Sequence, residues 1–267
     1  MKNKYIELQK ISKNIRKLIL ETSLKSGGPS HIGGALSISE IMCVLYFKIM
    51  KFNNINKDRF ILSKGHGFLA LLTVLYLKGF INKKDLFKFQ KNGSDFIAHP
   101  IANPKIGIES SNGSLGQGLS FGIGISLAYL KRKQKGDIFV LLGDGECYEG
   151  SVWEAAITAA ENKLKNLFVI IDCNGFQNDG PVGSEMSKTH IYKKWKSFGW
   201  NVKSCDGHNF ESLIKAFEDD KISKPTAIIA ETVKGKGIKF MENNNDWHHN
   251  RLTNSLFEEA IKNLGND

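Results

Sequence analysis

Two positions thirty residues apart carry oxygen ligands at the ends of apolar runs. Gly143-Asp144-Gly145-Glu146 closes the run Phe139-Val140-Leu141-Leu142, and Asn174 closes Leu167-Phe168-Val169-Ile170-Ile171-Asp172. A carboxylate and an amide delivered this way suit one hard divalent cation. Mg²⁺ takes carboxylate, amide and carbonyl oxygens and fills its remaining positions from water and a bound phosphate. Glycines at 143 and 145 let the backbone approach such a phosphate with no Cβ in the way. A lone Gly-Asp-Gly is a common turn and by itself says little. Four of the seven histidines, His31, His66, His99 and His248, fall in predicted loops and not on helix faces. Imidazole near neutral pH donates, accepts and shuttles protons. Any one of them alone is more often a surface or satisfied structural residue.

These residues need a scaffold to bring them together. Apolar residues at Leu8, Ile11, Ile15, Leu18 and Ile19 follow helical spacing and predict a helix over 5–25 that stops at Gly27-Gly28-Pro29. A loop follows, and Ser37 or Ser39 can cap a second helix running to Met50. Residues 59–62 read as a short strand and 67–79 as a helix. The stretch from Gly116 to Tyr129, apolar on nearly all sides, reads as a central buried helix whose glycines allow close packing. Strands at 137–142, 167–172, 200–204 and 226–232 then alternate with helices at 151–162, 190–198 and 209–219, and a last helix covers 253–264. Such alternation implies right-handed crossovers and an α/β fold, a parallel twisted sheet with helices on both faces. Ligands in these folds bind beyond the carboxyl ends of the strands, where this reading puts Asp144 and Asn174. With 267 residues, no internal repeat and no low-complexity linker, 1–267 reads as one domain.

The sequence around the two ligands makes the pattern specific. Gly143-Asp144-Gly145-Glu146-Cys147-Tyr148-Glu149-Gly150-Ser151-Val152-Trp153-Glu154-Ala155-Ala156, then Lys165-Asn166-Leu167 and Asp172-Cys173-Asn174-Gly175-Phe176-Gln177-Asn178-Asp179-Gly180, resembles transketolase almost position by position. The histidines stand in segments that resemble loops of the same family: Ser30-His31-Ile32-Gly33-Gly34, Ser63-Lys64-Gly65-His66-Gly67, Ala98-His99-Pro100 and Asp246-Trp247-His248. The resemblance spans nearly all of residues 10–255 and covers the diphosphate-binding half of that enzyme, a thiamine diphosphate-binding domain.

The resemblance implies roles for individual residues. The side chains of Asp144 and Asn174 and the carbonyl of Phe176 hold Mg²⁺ or Ca²⁺, and Gly145 offers its amide to the diphosphate of the thiamine cofactor. His66 and His248 stand near the diphosphate and the substrate hydroxyls, and His31 and His99 contact substrate around the reactive carbon. Lys64 and Lys234 line the same cleft. Gly113 and Leu115, in Asn112-Gly113-Ser114-Leu115, match the loop that meets the aminopyrimidine ring; family members often carry Pro where Ser114 stands. Glu149 matches a carboxylate of the subunit interface, or else faces solvent at a helix N-terminus, where the dipole favours a negative charge.

The pyrimidine-binding domain, its activating glutamate and the arginines that receive the substrate phosphate have no counterpart in the sequence. The expectation is therefore the N-terminal subunit of a split transketolase, moving a two-carbon ketol unit from a ketose phosphate to an aldose phosphate. A separately encoded C-terminal subunit would complete it in an α₂β₂ assembly. Other thiamine diphosphate enzymes remain open, namely a ketol transferase of specialised sugar metabolism, a 1-deoxyxylulose-phosphate synthase or a 2-oxoacid dehydrogenase subunit. So does a non-catalytic scaffold.

Composition narrows the alternatives. The formal charge of +10 comes from lysines scattered along the chain, with no aromatic-interleaved basic segment, so nucleic acid is not an expected partner. An excess of positive field is compatible with sugar phosphates and a diphosphate cofactor. Cysteines at 43, 147, 173 and 205 show no CxxC spacing and read as reduced structural thiols. The start Met1-Lys2-Asn3-Lys4 leads into a charged amphipathic segment with no apolar run of membrane-spanning length. The expectation is a cytoplasmic protein that engages no membrane.

Overall fold

The computed structural model describes residues 4–52, 57–218 and 223–265. Its nine strands, among the described residues, are β1 (Pro29–Ser30), β2 (Arg59–Leu62), β3 (Ile138–Gly143), β4 (Leu167–Cys173), β5 (Phe176–Gln177), β6 (Gly180–Pro181), β7 (Asn201–Asp206), β8 (Thr226–Glu231) and β9 (Asn250–Arg251). The helices are α1 (Ile6–Ser26), α2 (Ile32–Leu36), α3 (Ser39–Val44), α4 (Phe68–Leu77), α5 (Lys83–Leu86), α6 (Gln117–Lys131), α7 (Gly150–Glu161), α8 (Lys188–Ser197), α9 (Phe210–Ala216) and α10 (Asn254–Gly265). β2, β3, β4, β8 and β7 form, in that order, one sheet in which every neighbouring pair is parallel.

The sheet is apolar on both sides, as a parallel sheet covered by crossover helices must be. Alternation along each strand divides the core in two. Phe60, Leu62, Phe139, Leu141, Ile170 and Ile228 face a layer built from α1, α3, α4, α9 and α10. Ile61, Val140, Leu142, Val169, Ile171 and Ile229 face α6, α7 and α8. α1 ends as its sequence predicts: Gly27 takes φ +76°, and its N–H donates to the Leu24 carbonyl, a left-handed cap that glycine adopts without strain.

Three expectations change. The stretch after Pro29 contains a short helix, α2, so Ser37 lies between two helices. Ser37 is no N-cap: it closes α2, its N–H donating to the Gly33 carbonyl, and its hydroxyl proton is shared between the Gly34 carbonyl and Asp172. The helix expected to reach Met50 loosens after Val44 into a π-helical turn, Leu45–Ile49. α6 is not buried all round. Leu119, Gly122, Ile123 and Ser126 pack on the sheet, whereas Phe121 on the opposite face is 44 % exposed, because no described residue covers that side. The expected end of α9 at 219 lies outside the described residues.

Candidate active site

The carboxyl edge of the sheet gathers the chemistry-bearing loops. The turn after β2 carries Ser63, Lys64 and His66; the turn after β3 carries Asp144; the turn after β4 carries Asn174; the segment after β8 carries Lys234. The two-stranded pair of β1 and β9 sets His31 beside the loop of His248. Two glycines permit close approaches between these loops. A Cβ on Gly33 would meet the Trp247 carbonyl oxygen at 2.7 Å, and one on Gly65 would meet the Asn112 carbonyl oxygen at 2.8 Å, so larger residues would push these loops apart.

Asp172, on β4 just before Asn174, organises the base of the site. It is fully buried and salt-bridged to the equally buried Lys64, which also donates to the Gly34 carbonyl at 3.1 Å. Thr232 donates to its other oxygen, and Ser37 donates to the first at 2.7 Å. The Lys64 ammonium beside it holds the Asp172 carboxyl below the usual carboxylate range, against the burial that pushes the other way. Asn174 Nδ2 donates to Asp172 at 2.8 Å, which fixes which end of the amide is oxygen. Its Oδ1 accepts from the Phe176 N–H at 3.0 Å. Lys64 therefore orients the amide through Asp172 and does not reach into the cleft with a free charge.

Asp144 is the opposite case. It is 2 % exposed and its oxygens accept backbone N–H groups, Gly145 at 2.8 Å and Gly175 at 2.6 Å; among the described residues no cationic side chain bonds to it. Burial and the neighbouring Asp172 charge raise its carboxyl to about 7. The Gly175 bond seats the Asp144 carboxylate against the Asn174 turn. A buried carboxylate without a counter-charge, next to an oriented amide and the Phe176 turn, fits a hard cation. Among the described residues no three His, Cys, Asp or Glu side chains converge on a metal-sized point. A cation there would draw instead on carboxylate, amide and main-chain oxygens.

These residues border a cleft of about 230 Å³ whose lining includes His66, Leu115, Asp144, Gly145, Glu149, Asn174, Phe176 and His248. The Gly145 amide donates to Asp144 in this structure. Glu149 is exposed at the N-cap of α7 with no side-chain capping bond. Lys234, His31, His99 and Gly113 stand beside the cleft. Lys234 is 1 % exposed, and burial together with the Lys64 charge lowers its ammonium to about 8. It donates to Asn245 at 2.7 Å and to His248 Nδ1 at 2.9 Å. An ammonium has no acceptor, so Nδ1 of His248 must accept, and its proton sits on Nε2.

The four expected histidines converge. The His31 ring centroid lies 5.9 Å from His66, 5.3 Å from His99 and 5.6 Å from His248, and His66 lies 5.4 Å from His248. Burial and mutual repulsion lower His31 to about 3, and burial with the Lys234 and Lys64 charges lowers His248 to about 4. Burial also lowers His66 and His99. The cluster is neutral at pH 7 and ready to donate or accept. Gly113 packs beside His99.

Three participants escaped the sequence reading. His249 joins the cluster, its ring 4.5 Å from that of His31. Glu146, buried, accepts from Ser63, from the Gly116 N–H at 2.8 Å and from the Gly143 N–H at 3.1 Å, pinning three loops that border the cleft. Behind the site, Arg16 forks onto Glu40 at 2.5 and 2.6 Å and donates to the Lys236 carbonyl at 2.9 Å. His208 bridges Glu40 to the Val233 N–H, each at 2.9 Å, so the network holds the segment carrying Lys234. Adjacency to His248 was the only sequence signal for His249; the other two depend on distant partners.

A parallel sheet whose carboxyl edge gathers a buried carboxylate, an oriented amide and neutral imidazoles defines an α/β domain built to hold an anionic cofactor and a polar substrate. Residues 8–267 match the family described as transketolase, thiamine diphosphate binding domain, and the chain belongs to that family. It is 38 % identical over 271 residues to 6-deoxy-6-sulfo-D-fructose transketolase subunit SqwG of Clostridium sp. (strain MSTE9), covering 99 % of this chain and 98 % of that protein. It is 38 % identical over 264 residues to one of the subunits of the apulose-4-phosphate transketolase of Phocaeicola vulgatus, covering 96 % and 92 %. The fold superposes on the crystal structure of Campylobacter jejuni transketolase with a TM-score of 0.88 and 28 % identity, over 97 % of this chain but 43 % of that one. The chain is thus a transketolase N-terminal half, homologous to proteins named as separate subunits.

Proposed function

We propose that this chain, folded as a single domain, is the diphosphate-binding subunit of a two-chain transketolase. A separately encoded C-terminal subunit carrying the pyrimidine-binding domain completes the site, in an α₂β₂ assembly. The complex moves a two-carbon ketol unit from a ketose phosphate to an aldose phosphate. The observation that carries this reading is the contrast in coverage: 98 % of a protein named as a subunit, against 43 % of a full-length transketolase. Exposed apolar side chains support it: Phe121 on α6 and Ile157 on α7 are 44 % and 47 % exposed, and Tyr148, which borders the cleft, is 46 % exposed.

In this reading Asp144, Asn174 and the Phe176 carbonyl hold Mg²⁺ or Ca²⁺, which in turn holds the diphosphate. Gly145, His66, His248 and Lys234 attend the diphosphate end, Gly113 and Leu115 meet the ring, and Glu149 joins a network at the subunit interface. Bound thiamine diphosphate supplies the carbon that takes up the ketol unit. The chain's own work is to bind, orient and move protons. His31, His99, His66 and His248, held neutral, exchange protons with the hydroxyl and carbonyl oxygens of the sugar.

Two relatives of equal identity are named for two different uncommon sugars, which favours a specialised ketol transferase as the second reading. A scaffold role sits poorly with a buried Asp144 that lacks a counter-charge. Among the described residues no helix is long and apolar enough to cross a membrane, and four free buried cysteines support a reducing, cytoplasmic setting. The test is reconstitution. The purified chain alone shows no ketol transfer and gains it, dependent on divalent metal, when its partner is added; robust transfer without a partner refutes the reading.

A further inference from the structure

His249 has no role in the functions argued so far, yet the backbone places it at the exposed edge of the histidine cluster, against His31. β1 and β9 pair antiparallel with Pro29 opposite Arg251 and Ser30 opposite Asn250. The next pair in that register is His31 opposite His249. His249 is extended, at φ −146° and ψ 100°, so it continues the line of β9, and the ring centroids lie 4.5 Å apart. On its other side the buried Trp247, whose carbonyl fills the space left by Gly33, anchors the loop. Main-chain pairing therefore fixes where this side chain leaves the backbone.

Its surroundings differ from those of its neighbours. His66 and His248 border the diphosphate cleft, whereas His249 is exposed. Among the described residues its ring nitrogens have no hydrogen-bond partner. An exposed imidazole with both nitrogens free, packed on the half-buried His31, offers hydrogen-bonding nitrogens at the mouth of the site.

We infer that His249 is a substrate-contacting residue, hydrogen-bonding a hydroxyl on the sugar carbons beyond the transferred two-carbon unit and so setting which sugars the enzyme holds. This rests on the transketolase reading above. A donor that carries the ketol unit without those carbons escapes the contact.

The test uses the reconstituted two-chain holoenzyme with His249→Ala and His249→Gln, comparing a ketose phosphate donor with hydroxypyruvate. In His249→Ala, KM for the ketose phosphate rises about three- to tenfold, the scale of one neutral hydrogen bond. KM for hydroxypyruvate stays put, the change falls on KM more than on kcat, and His249→Gln recovers part of the loss. An unchanged KM, or an equal rise for both donors, overturns the inference. So does a loss confined to kcat with weaker cofactor binding by calorimetry, which would mean that His249 only props His31. If the wild-type pair transfers from neither donor, the functional reading fails, and this inference with it.

Discussion

Two charged regions a few residues apart on the same sheet edge are built in opposite ways. Around Asp172 every polar atom is spoken for: Lys64, Ser37, Thr232 and Asn174 all donate to one buried carboxylate. Asp144 is also buried and the histidines are half-buried, but the protein leaves these groups short. Among the described residues Asp144 has two backbone donors and no counter-charge, and the rings of His31, His66 and His99 have no hydrogen-bond partner. Burial of polar groups costs stability unless partners are supplied. The saturated region is framework, and the unsaturated region is the part proposed to take ligands.

Breaking the framework has the largest expected effect. Asp172→Ala strands the Lys64 ammonium in the core and should cost about 3–5 kcal/mol in denaturant unfolding of the free chain. Adding Lys64→Met to that variant should recover much of the loss, since an unpaired charge is worse than none. A loss below about 1 kcal/mol in the single variant would remove the distinction between the two regions. On the unsaturated side the pattern inverts. His31→Gln should leave the melting temperature of the free chain nearly unchanged while lowering ketol transfer by the complex about hundredfold, the scale of a lost proton-handling group.

Asp144→Asn sharpens the contrast further, with a smaller effect on stability. The Asp144 carboxyl is raised in the folded chain to about 7 from an ordinary 3.8. A raised acid contributes stability below its unfolded value, and that contribution disappears as pH rises through the folded one. At pH 7.5 the variant without cation should therefore match or exceed wild type in melting temperature while losing metal-dependent cofactor binding. The histidines give the smallest signal and the opposite slope. His31 and His248 are lowered to about 3 and about 4 from 6.5, so the unfolded chain binds more protons between those values. Stability should fall as pH drops from 6.5 toward 4, and His31→Gln should flatten that fall in thermal melts.

This contrast also explains what the sequence made legible. The placement of Asp144 and Asn174 at the sheet edge was readable because each follows directly on an apolar strand, and the parallel sheet was readable because strands and helices alternate. Asp172 was not, because it looks like the last residue of a strand and its partners come from Ser37, Lys64 and Thr232, far away in the chain. Glu146 was hidden in the same way, since burial turns it inward onto Ser63 and Gly116. α6 misled in the other direction: its all-round apolar surface reads as deep burial, whereas the structure covers one face and leaves Phe121 outside. A short helix such as α2, built on Gly33 and Gly34, carries too little periodicity to announce itself.

Asp144 and Asn174 are proposed to hold one cation between their side-chain oxygens. Crystals of the two-chain complex with thiamine diphosphate and Mn²⁺ in place of Mg²⁺, with data collected at the manganese absorption edge, test it directly. The account predicts one anomalous peak about 2.0–2.4 Å from an Asp144 oxygen, from Asn174 Oδ1 and from the Phe176 carbonyl oxygen, with diphosphate oxygens beside it. A peak elsewhere, or Asp144 and Asn174 oxygens too far apart to reach a common ion, would contradict it.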